Sequence, residues 1–287
     1  MISDQISKLA SNDNYTLHIN GDRRYLTFPG LDEYPELLHL FTTRHGGVST
    51  GCVSSWNFGE QSLDTDENIL QNFKILADTM GISAKQFVRT QQTHTSNILT
   101  VSEADAGKGV TRPRGYTDID GLVTDTRGLA IVTTHADCNS VYFYDPVKHV
   151  IGLAHSGWRG TLLGISRAMV AKMHDEFSSD PADLLAGTGP ALCKDCFEVD
   201  FDVAEAFLKA NPGNAAFIEE RPPKYHIDLK AIIRRDLMDS GLKAENIMDM
   251  ELCTKCHKED FFSHRGHKGK RGLMAAVMML RQTDNNP

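Results

Sequence analysis

Residues 129–160 read LAIVTTHADCNSVYFYDPVKHVIGLAHSGWRG and decide the class of fold. Apolar and β-branched runs at 129–134, 141–144 and 150–154 have the length and composition of buried strands. Cys138 follows the first run, and His155 follows the third directly. The stretch therefore predicts neighbouring strands that present a thiol and an imidazole at their ends.

Similar runs lie on both sides of this stretch. Further strands are predicted at 87–90, 98–101, 121–124, 184–187 and 247–252. Apolar residues at helical spacing predict helices at 66–80, 161–177 and 229–238, the first ending at Gly81. This order predicts an α/β fold, a layered α/β/α sandwich around a mainly mixed β-sheet. We expect residues 1–35 to form an N-terminal extension packed on a single catalytic domain, residues 36–287.

Composition narrows the class of partner. The chain has 287 residues, 40% of them hydrophobic, and a formal net charge of −8. The negative charge argues against broad attachment to nucleic acid or to an anionic membrane, and no long apolar run or secretory signal is present. We expect a soluble, cytoplasmic monomer that acts on small molecules.

A third candidate metal ligand lies upstream, where His94 closes the run at 87–90. Zinc binds thiolate sulfur and imidazole nitrogen, and a catalytic zinc keeps three protein ligands and one open position. His94, Cys138 and His155 could form such a set. Their wide spacing gives no compact motif, so a buried thiol beside two structural histidines remains the alternative.

Ordered motifs resemble one known family, the laccase-domain or polyphenol-oxidase-like proteins. They are FTTRHGGVS at 41–49, QTH at 92–94, DIDGLVT at 118–124, ADC at 136–138, HSGWRG at 155–160, GP at 189–190, FEV at 197–199, LCT at 252–254 and FFSHR at 261–265. The resemblance covers about residues 38 to 280. It implies that His94, Cys138 and His155 bind zinc, and that the fold is distantly similar to toxin-type cysteine deamidases.

The resemblance also implies an activity. Family members are similar to purine nucleoside phosphorylases that cleave adenosine, inosine and methylthioadenosine and also deaminate adenosine. Some bacterial relatives resemble editing factors for peptidoglycan precursors. We therefore expect a zinc-dependent purine nucleoside phosphorylase with adenosine deaminase side activity, whose partners are a purine nucleoside and phosphate.

Five further residues are candidates for roles in this chemistry. Asp137 could carry a proton as a catalytic residue, or only cap backbone amides at a strand end. Arg44 and Arg159 lie in glycine-bearing turns and are suited to holding an anion. Trp158 could stack on a purine or pack beneath a helix, and Gln92 shares a motif with His94.

Other functions remain open. Cys138 and His155 could act without metal as the nucleophile and base of a hydrolase, a chemistry that does not need His94. A peptidoglycan-precursor amidase and a non-catalytic binding module are further alternatives. Copper oxidation of phenols is less favoured than zinc chemistry, because multicopper oxidases resemble assemblies of His-x-His pairs and this sequence has none.

Two CxxC pairs raise the possibility of a second metal site. Cys193 and Cys196 form one pair, and Cys253 and Cys256 form the other. Two such pairs bind structural zinc if they meet in space. Because they are far apart in sequence, we expect reduced, unligated thiols.

Overall fold

Two six-stranded mixed sheets form the centre of the protein in a computed structural model that describes residues 9–59 and 63–282. The first sheet contains β1 (Thr16–Asn20), β2 (Arg23–Thr27), β3 (Leu37–Thr42), β4 (Phe87–Arg89), β7 (Ala130–His135) and β15 (Met274–Leu280). The second contains β5 (Ile98–Thr100), β6 (Gly121–Thr124), β8 (Asn139–Asp145), β9 (Val150–Ser156), β10 (Leu185–Thr188) and β14 (Ile247–Asp249). A small third sheet contains β11 (Glu198–Val199), β12 (Ile218–Arg221) and β13 (Lys224–Ile227).

The first sheet has the strand order β1-β2-β3-β15-β7-β4. The C-terminal strand β15 lies at its middle, antiparallel to both neighbours, so that Ala276 lies opposite Phe41 of β3 and Thr133 of β7. Only the edge strand β4 runs parallel to its neighbour, β7.

The second sheet has the order β14-β10-β8-β9-β6-β5. Its central pair, β8 and β9, is antiparallel and places Ser140 opposite His155. The chain leaves the first sheet at the end of β7 and enters the second at the start of β8, so residues 136–138 form the crossing between the sheets.

Six helices are described: α1 (Pro29–Asp32), α2 (Asp66–Met80), α3 (Trp158–Leu162), α4 (Ile165–Phe177), α5 (Phe201–Ala210) and α6 (Leu229–Asp239). Apolar side chains of both sheets share one core, for example Phe41 and Ile131 of the first with Tyr142 and Leu153 of the second. The outer face of the first sheet packs on α2, and that of the second packs on α4 and α6. The layers are therefore helix, sheet, sheet, helix. Apolar burial on both faces explains why most central strands read as continuous hydrophobic runs.

The predicted helices are present, with one boundary corrected. Helix α2 has the predicted bounds, capped by the Thr65 side chain and by Gly81 in the left-handed conformation. The helix predicted at 161–177 is two helices, α3 and α4, because Gly164 has φ 76° and interrupts the helical backbone. The polypeptide therefore turns before α4 packs on the second sheet.

The predicted α/β class with mixed sheets is confirmed. Its central layer is a pair of stacked sheets, since the strands divide between two sheets. The distant similarity to toxin-type cysteine deamidases stays a prediction. Within residues 9–59 and 63–282, no helix has both the length and the apolar character needed to cross a bilayer.

Candidate metal centre and active site

His94, Cys138 and His155 come together where the two sheets meet. His94 follows β4 of the first sheet, Cys138 lies in the crossing, and His155 lies on β9 of the second. Their ligand atoms all lie within 4.8 Å of one another, and the Cys138 Sγ is 3.9 Å from His94 Nε2. A tetrahedral zinc would set sulfur and nitrogen ligands about 3.5 Å apart, so small side-chain adjustments suffice to close the set on zinc.

A buried carboxylate orients this group. The Oδ1 atom of Asp120 lies 2.8 Å from Nδ1 of His155, and both side chains are buried. The backbone N–H groups of Thr93, His94 and Thr95 also donate to Asp120, at 3.1, 3.1 and 2.8 Å. One carboxylate thus holds the loop that carries one histidine and the ring of the other, leaving His155 Nε2 to face Cys138, as expected of the outer support of a metal site.

Two non-glycine residues of the site have left-handed backbone conformations. They are His94 (φ 67°) and Asp137 (φ 87°). Such conformations cost about 1 kcal/mol or more each and persist where surrounding contacts impose them. For His94, the hydrogen bond from its backbone N–H to the carboxylate of Asp120 supplies that constraint.

Gly157 makes room for the triad. A Cβ atom at this position would lie 2.7 Å from Cδ2 of His94 and 3.1 Å from Sγ of Cys138. Both distances are shorter than normal van der Waals contacts. Glycine is therefore required for the two ligands to approach the backbone that follows His155.

The buried thiol and imidazole shift each other's protonation. Burial alone would raise the pKa of Cys138, but the charge of His155 and hydrogen bonds from His155 and His94 lower it to about 6. Burial would lower the pKa of His155, but the charge of Cys138 and the hydrogen bond to Asp120 raise it to about 9. The site therefore favours a thiolate, the form of cysteine that binds metal.

His135 is buried beside the triad and contacts the backbone of Cys138. Its Nε2 atom lies 2.7 Å from the Thr133 hydroxyl, and its Nδ1 atom lies 3.2 Å from the carbonyl oxygen of Cys138. Burial is the main cause that holds its pKa well below the usual value, so the ring is neutral. Both ring nitrogens have protein partners, which gives His135 a structural role.

Two cavities meet at the triad. The first, of about 290 Å³, is lined by polar residues that include Arg89, Arg114 and Arg271. The second, of about 370 Å³, has apolar walls that include Trp158 and Leu192. Both cavities are also lined by His94 and Cys138. The triad therefore lies between a cation-rich cavity and an apolar one.

Arg271 lines both cavities and has hydrogen-bond donors that no described residue accepts from. Its Nε and Nη1 atoms are buried and have no hydrogen-bond partner among the described residues. Burial lowers its pKa, and the charges of Asp137 and Cys138 partly offset that effect. A buried guanidinium without partners is costly, and an anion in the cavity would satisfy it.

Asp137 lines the apolar cavity, but its carboxylate is already engaged. Oδ1 accepts from the hydroxyl of Thr254 at 2.7 Å, and Oδ2 accepts from the backbone N–H of Arg265 at 2.6 Å. These bonds join the crossing between the sheets to two distant loops. The predicted catalytic role of Asp137 stays a prediction beside this structural one.

The predicted substrate-binding residues have different surroundings. Gln92 lines the cation-rich cavity. Its Nε2 donates to the carbonyl of Thr134 and its Oε1 accepts from the N–H of Thr134, both at 2.8 Å. Trp158 lines the apolar cavity, and the guanidinium of the exposed Arg159 lies 4.2 Å from the centre of its ring. Arg159 therefore packs against the ring of Trp158. It is not among the residues that line either cavity.

Arg44 is held away from both cavities by its own contacts. Its Nε and Nη2 donate to the carbonyl of Ser54 at 3.0 and 2.8 Å, and Nη1 donates to that of Lys258 at 3.2 Å. The guanidinium also lies over the ring of Phe262. The arrangement joins three loops, and the predicted role of Arg44 in anion binding stays a prediction.

The two CxxC pairs meet, contrary to the expectation drawn from their separation in sequence. The sulfur atoms of Cys193, Cys196, Cys253 and Cys256 all lie within 4.8 Å of one another. None of the four is in a disulfide.

Sequence reasoning missed two site residues. Asp120 lies in the DIDG motif, whose carboxylate directly before a strand could have indicated a histidine partner. Arg271 lies in the basic stretch KGKRG, where no pattern distinguishes an inward-pointing arginine from the solvated lysines beside it.

Residues 38–281 match the family model described as "Multi-copper polyphenol oxidoreductase laccase". The chain belongs to this family. A laccase-domain relative from Bacillus subtilis (strain 168), "Purine nucleoside phosphorylase YlmD", is 35% identical over 86% of this chain and 90% of its own length. Another, "Adenosine deaminase RL5" from an unknown prokaryotic organism, is 30% identical over 80% of this chain and 89% of its own length.

The solved structure of YlmD from Geobacillus stearothermophilus shares the laccase-domain fold. It superimposes with a TM-score of 0.87 at 31% identity, covering 94% of this chain and all of that one. The mixed α/β architecture is therefore common to both, and the sequence-based assignment to the laccase-domain family is confirmed.

Proposed function

We propose that this chain is a zinc-dependent purine nucleoside phosphorylase with adenosine deamination as a second activity. The relatives named purine nucleoside phosphorylase and adenosine deaminase support the substrate class. The proposed partners are a purine nucleoside and phosphate, and the proposed setting is a cytoplasmic monomer. The net charge of −8 supports small anions held in a local basic pocket over large anionic polymers.

The observation that carries the proposal is Arg271 beside the triad. Its two buried, unpartnered donors, with Arg89 and Arg114 in the same cavity, fit an oxyanion such as phosphate. The adjoining apolar cavity, with Trp158 in its wall, fits a purine base. A nucleoside that spans the junction would bring its ribose to the triad.

In phosphorolysis, an oxygen atom of phosphate forms a bond to the anomeric carbon while the bond from that carbon to the purine nitrogen breaks. The purine leaves with the electron pair and takes up a proton, giving free base and ribose 1-phosphate. Arg271 would hold the phosphate in line, and Trp158 would orient the base. Zinc on His94, Cys138 and His155 would supply a Lewis acid at the junction.

Deamination is the second candidate, favoured by the name of one relative. Water would form a bond to the purine carbon that bears the amine, and the bond from that carbon to nitrogen would break, so that ammonia leaves. A group must carry a proton from the attacking water to the departing nitrogen. Asp137 is the proposed group, and its bonds to Thr254 and Arg265 would have to lengthen for it to act.

The metal-free hydrolase, including a peptidoglycan-precursor amidase, is the rival proposal. A lowered Cys138 pKa beside a raised His155 pKa also suits a thiolate nucleophile and an imidazolium. The third ligand separates the two: Nε2 of His94 lies 3.9 Å from the sulfur, a contact that a two-residue catalyst does not need.

Product analysis tests the proposal. Purified enzyme is incubated with adenosine, inosine, methylthioadenosine or a peptidoglycan precursor, with and without phosphate, and its metals are measured. Phosphorolysis gives free base and ribose 1-phosphate only with phosphate, whereas deamination gives inosine from adenosine without it. Release of an amine from the precursor by a metal-free enzyme would overturn the proposal, and copper in place of zinc would revise the cofactor.

Variants test the assigned residues. Arg271→Met should raise the KM for phosphate about 10- to 150-fold, because charged hydrogen bonds contribute about 1.5–3 kcal/mol and about 1.4 kcal/mol is tenfold. Arg23→Met, which removes a surface ion pair with Asp78, is the matched control and should leave the KM unchanged. An unchanged phosphate KM in Arg271→Met would remove Arg271 from the site. His94→Ala should lose the zinc ion proposed for the triad, and a zinc content equal to that of wild type would reject the ligand set.

A further inference from the structure

A second group of side chains that could hold a metal ion lies outside the triad. We name Cys193, Cys196, Cys253 and Cys256 the cysteine tetrad. Their sulfur atoms lie within 4.8 Å of one another, and those of Cys196 and Cys256 are 3.6 Å apart. The sixth cysteine, Cys52, is exposed and is not part of this group.

Two short turns build the tetrad. The first turn places Cys193 and Cys196 at its ends, with the N–H of Cys196 donating to the carbonyl of Cys193 at 3.0 Å. The second begins at Cys253, whose carbonyl accepts from the N–H of His257 at 3.0 Å. A CxxC turn of this kind directs both sulfur atoms to one side, as in structural zinc sites.

Backbone hydrogen bonds hold the two turns together. The N–H of Ala191 donates to the carbonyl of Leu252 at 3.1 Å, and the N–H of Thr254 donates to the carbonyl of Ala191 at 3.0 Å. Ala191 and Cys253 thus form a parallel bridge. The polypeptide fixes the approach of the two pairs independently of any bond between the sulfur atoms.

The distances fit zinc better than disulfides. Four sulfur ligands at about 2.3 Å from a tetrahedral zinc lie about 3.8 Å from each other, close to the 3.6 Å between Cys196 and Cys256. A disulfide would need about 2.0 Å. The backbone N–H of Cys193 also points at the sulfur of Cys253, 3.4 Å away, and would stabilise a thiolate there.

We propose that the cysteine tetrad binds a structural zinc ion, separate from the metal of the triad. Four protein ligands leave no open position, so the ion would be structural and not catalytic.

The tetrad is connected to the wall of the apolar cavity. Leu192 and Phe197, on either side of the first turn, line that cavity. The N–H of Leu192 donates to the carbonyl of Asp137 at 3.0 Å, and the hydroxyl of Thr254 donates to the Asp137 carboxylate. A zinc ion in the tetrad would therefore fix the wall of the cavity next to Cys138.

Metal content of the full-length protein tests the proposal. Wild type, loaded with zinc and freed of excess metal, should hold two zinc ions per chain, and His94→Ala should hold one. Cys196→Ser combined with Cys256→Ser should hold one, and all three substitutions together should hold none. Cys52→Ser is the matched control and should hold two. A double cysteine variant that binds as much zinc as wild type would overturn the proposal.

Thiol reactivity and cobalt binding give a second test that needs no cysteine variant. In native wild type, Cys52 should react at once with a thiol reagent, whereas the four tetrad thiols should react only after a chelator removes zinc. Cobalt should give sulfur-to-metal absorption in His94→Ala that is stronger than a single thiolate produces. Immediate reaction of all four thiols, or a protein mass showing disulfides among them, would refute a zinc site even if the double variant failed to fold.

A kinetic consequence rests on the proposed function. Loss of tetrad zinc should raise the KM for nucleoside several-fold more than it lowers kcat, because the cavity wall moves while the triad stays loaded. If the enzyme does not catalyse phosphorolysis, the kinetic test does not apply. The zinc content and the protection of the thiols then test the tetrad site by themselves.

Discussion

Asp120 offers the sharpest test of how the proposed metal centre is assembled. Its Oδ1 accepts from His94 N–H and from the ring of His155, while its Oδ2 accepts from the N–H groups of Thr93 and Thr95. Asp120→Asn keeps the size of the side chain but replaces one acceptor oxygen with a donor. Either orientation of the new amide places a donor against donors.

The magnitude follows from these contacts. If the amide oxygen stays on the His155 side, the part-buried N–H groups of Thr93 and Thr95 lose an acceptor that is itself buried. A hydrogen bond contributes about 0.5–1.5 kcal/mol net, so loss of the two should lower the free energy of unfolding by about 1–3 kcal/mol. Altered support of the His155 ring should weaken metal binding about 10- to 100-fold.

The assays are urea denaturation of the metal-free protein and zinc competition with a chromophoric chelator. Asp118→Asn is the matched control, since Asp118 is exposed, lies in the same motif and has φ 58°, a conformation that asparagine tolerates. The control should change neither quantity by more than about 0.5 kcal/mol, as expected for a surface substitution. Equal behaviour of the two variants would refute the role assigned to Asp120.

Three other changes follow from named contacts. Gly157→Ala should lower zinc affinity by about tenfold or more in the same competition assay, because its Cβ would meet His94 and Cys138, while the exposed Gly213→Ala should not. Asn72→Ala removes a side-chain amide that hydrogen-bonds Ser49 and the backbone of Val48 and Asn57. Urea denaturation should show that the free energy of unfolding falls by about 2–4 kcal/mol, whereas exposed Gln71→Ala should leave it unchanged. Burial and the nearby His18 lower the pKa of His39 to about 3, so its contribution is complete above pH 6.5 and is lost as pH falls toward 3. Between pH 8 and pH 4.5, the free energy of unfolding of a folded His39→Gln variant should fall by about 3 kcal/mol less than that of wild type. An equal fall in the two proteins would contradict this assignment.

Much of the local structure could be predicted from the pattern of residues. Helix α2 carries a clear apolar face between a threonine and a glycine cap, and the predicted strands around the triad agree with β4 to β9 within two residues or so. Strand β15 gave no such signal. Its sequence MAAVMML consists mainly of residues that favour helices, and only burial between β3 and β7 makes it a strand.

Long-range pairing limited the prediction of the sites. The metal triad could be proposed because the family motifs carry its ligands. The cysteine tetrad depends on a bridge between Ala191 and Cys253, and no local pattern encodes that contact. For the same reason the inward position of Arg271 appears only when residues 268–272 pack beside the crossing.

The position of the triad between the two sheets has a consequence for the dynamics of the whole sandwich. An ion held by residues from both sheets is a cross-link, and its binding energy adds to the cohesion of that edge. Amide hydrogens near the ends of β7 and β9 should then exchange with solvent faster after the metal is removed, while those at the far end of β15 keep their protection. Metal occupancy would set how readily the sandwich opens at its working edge.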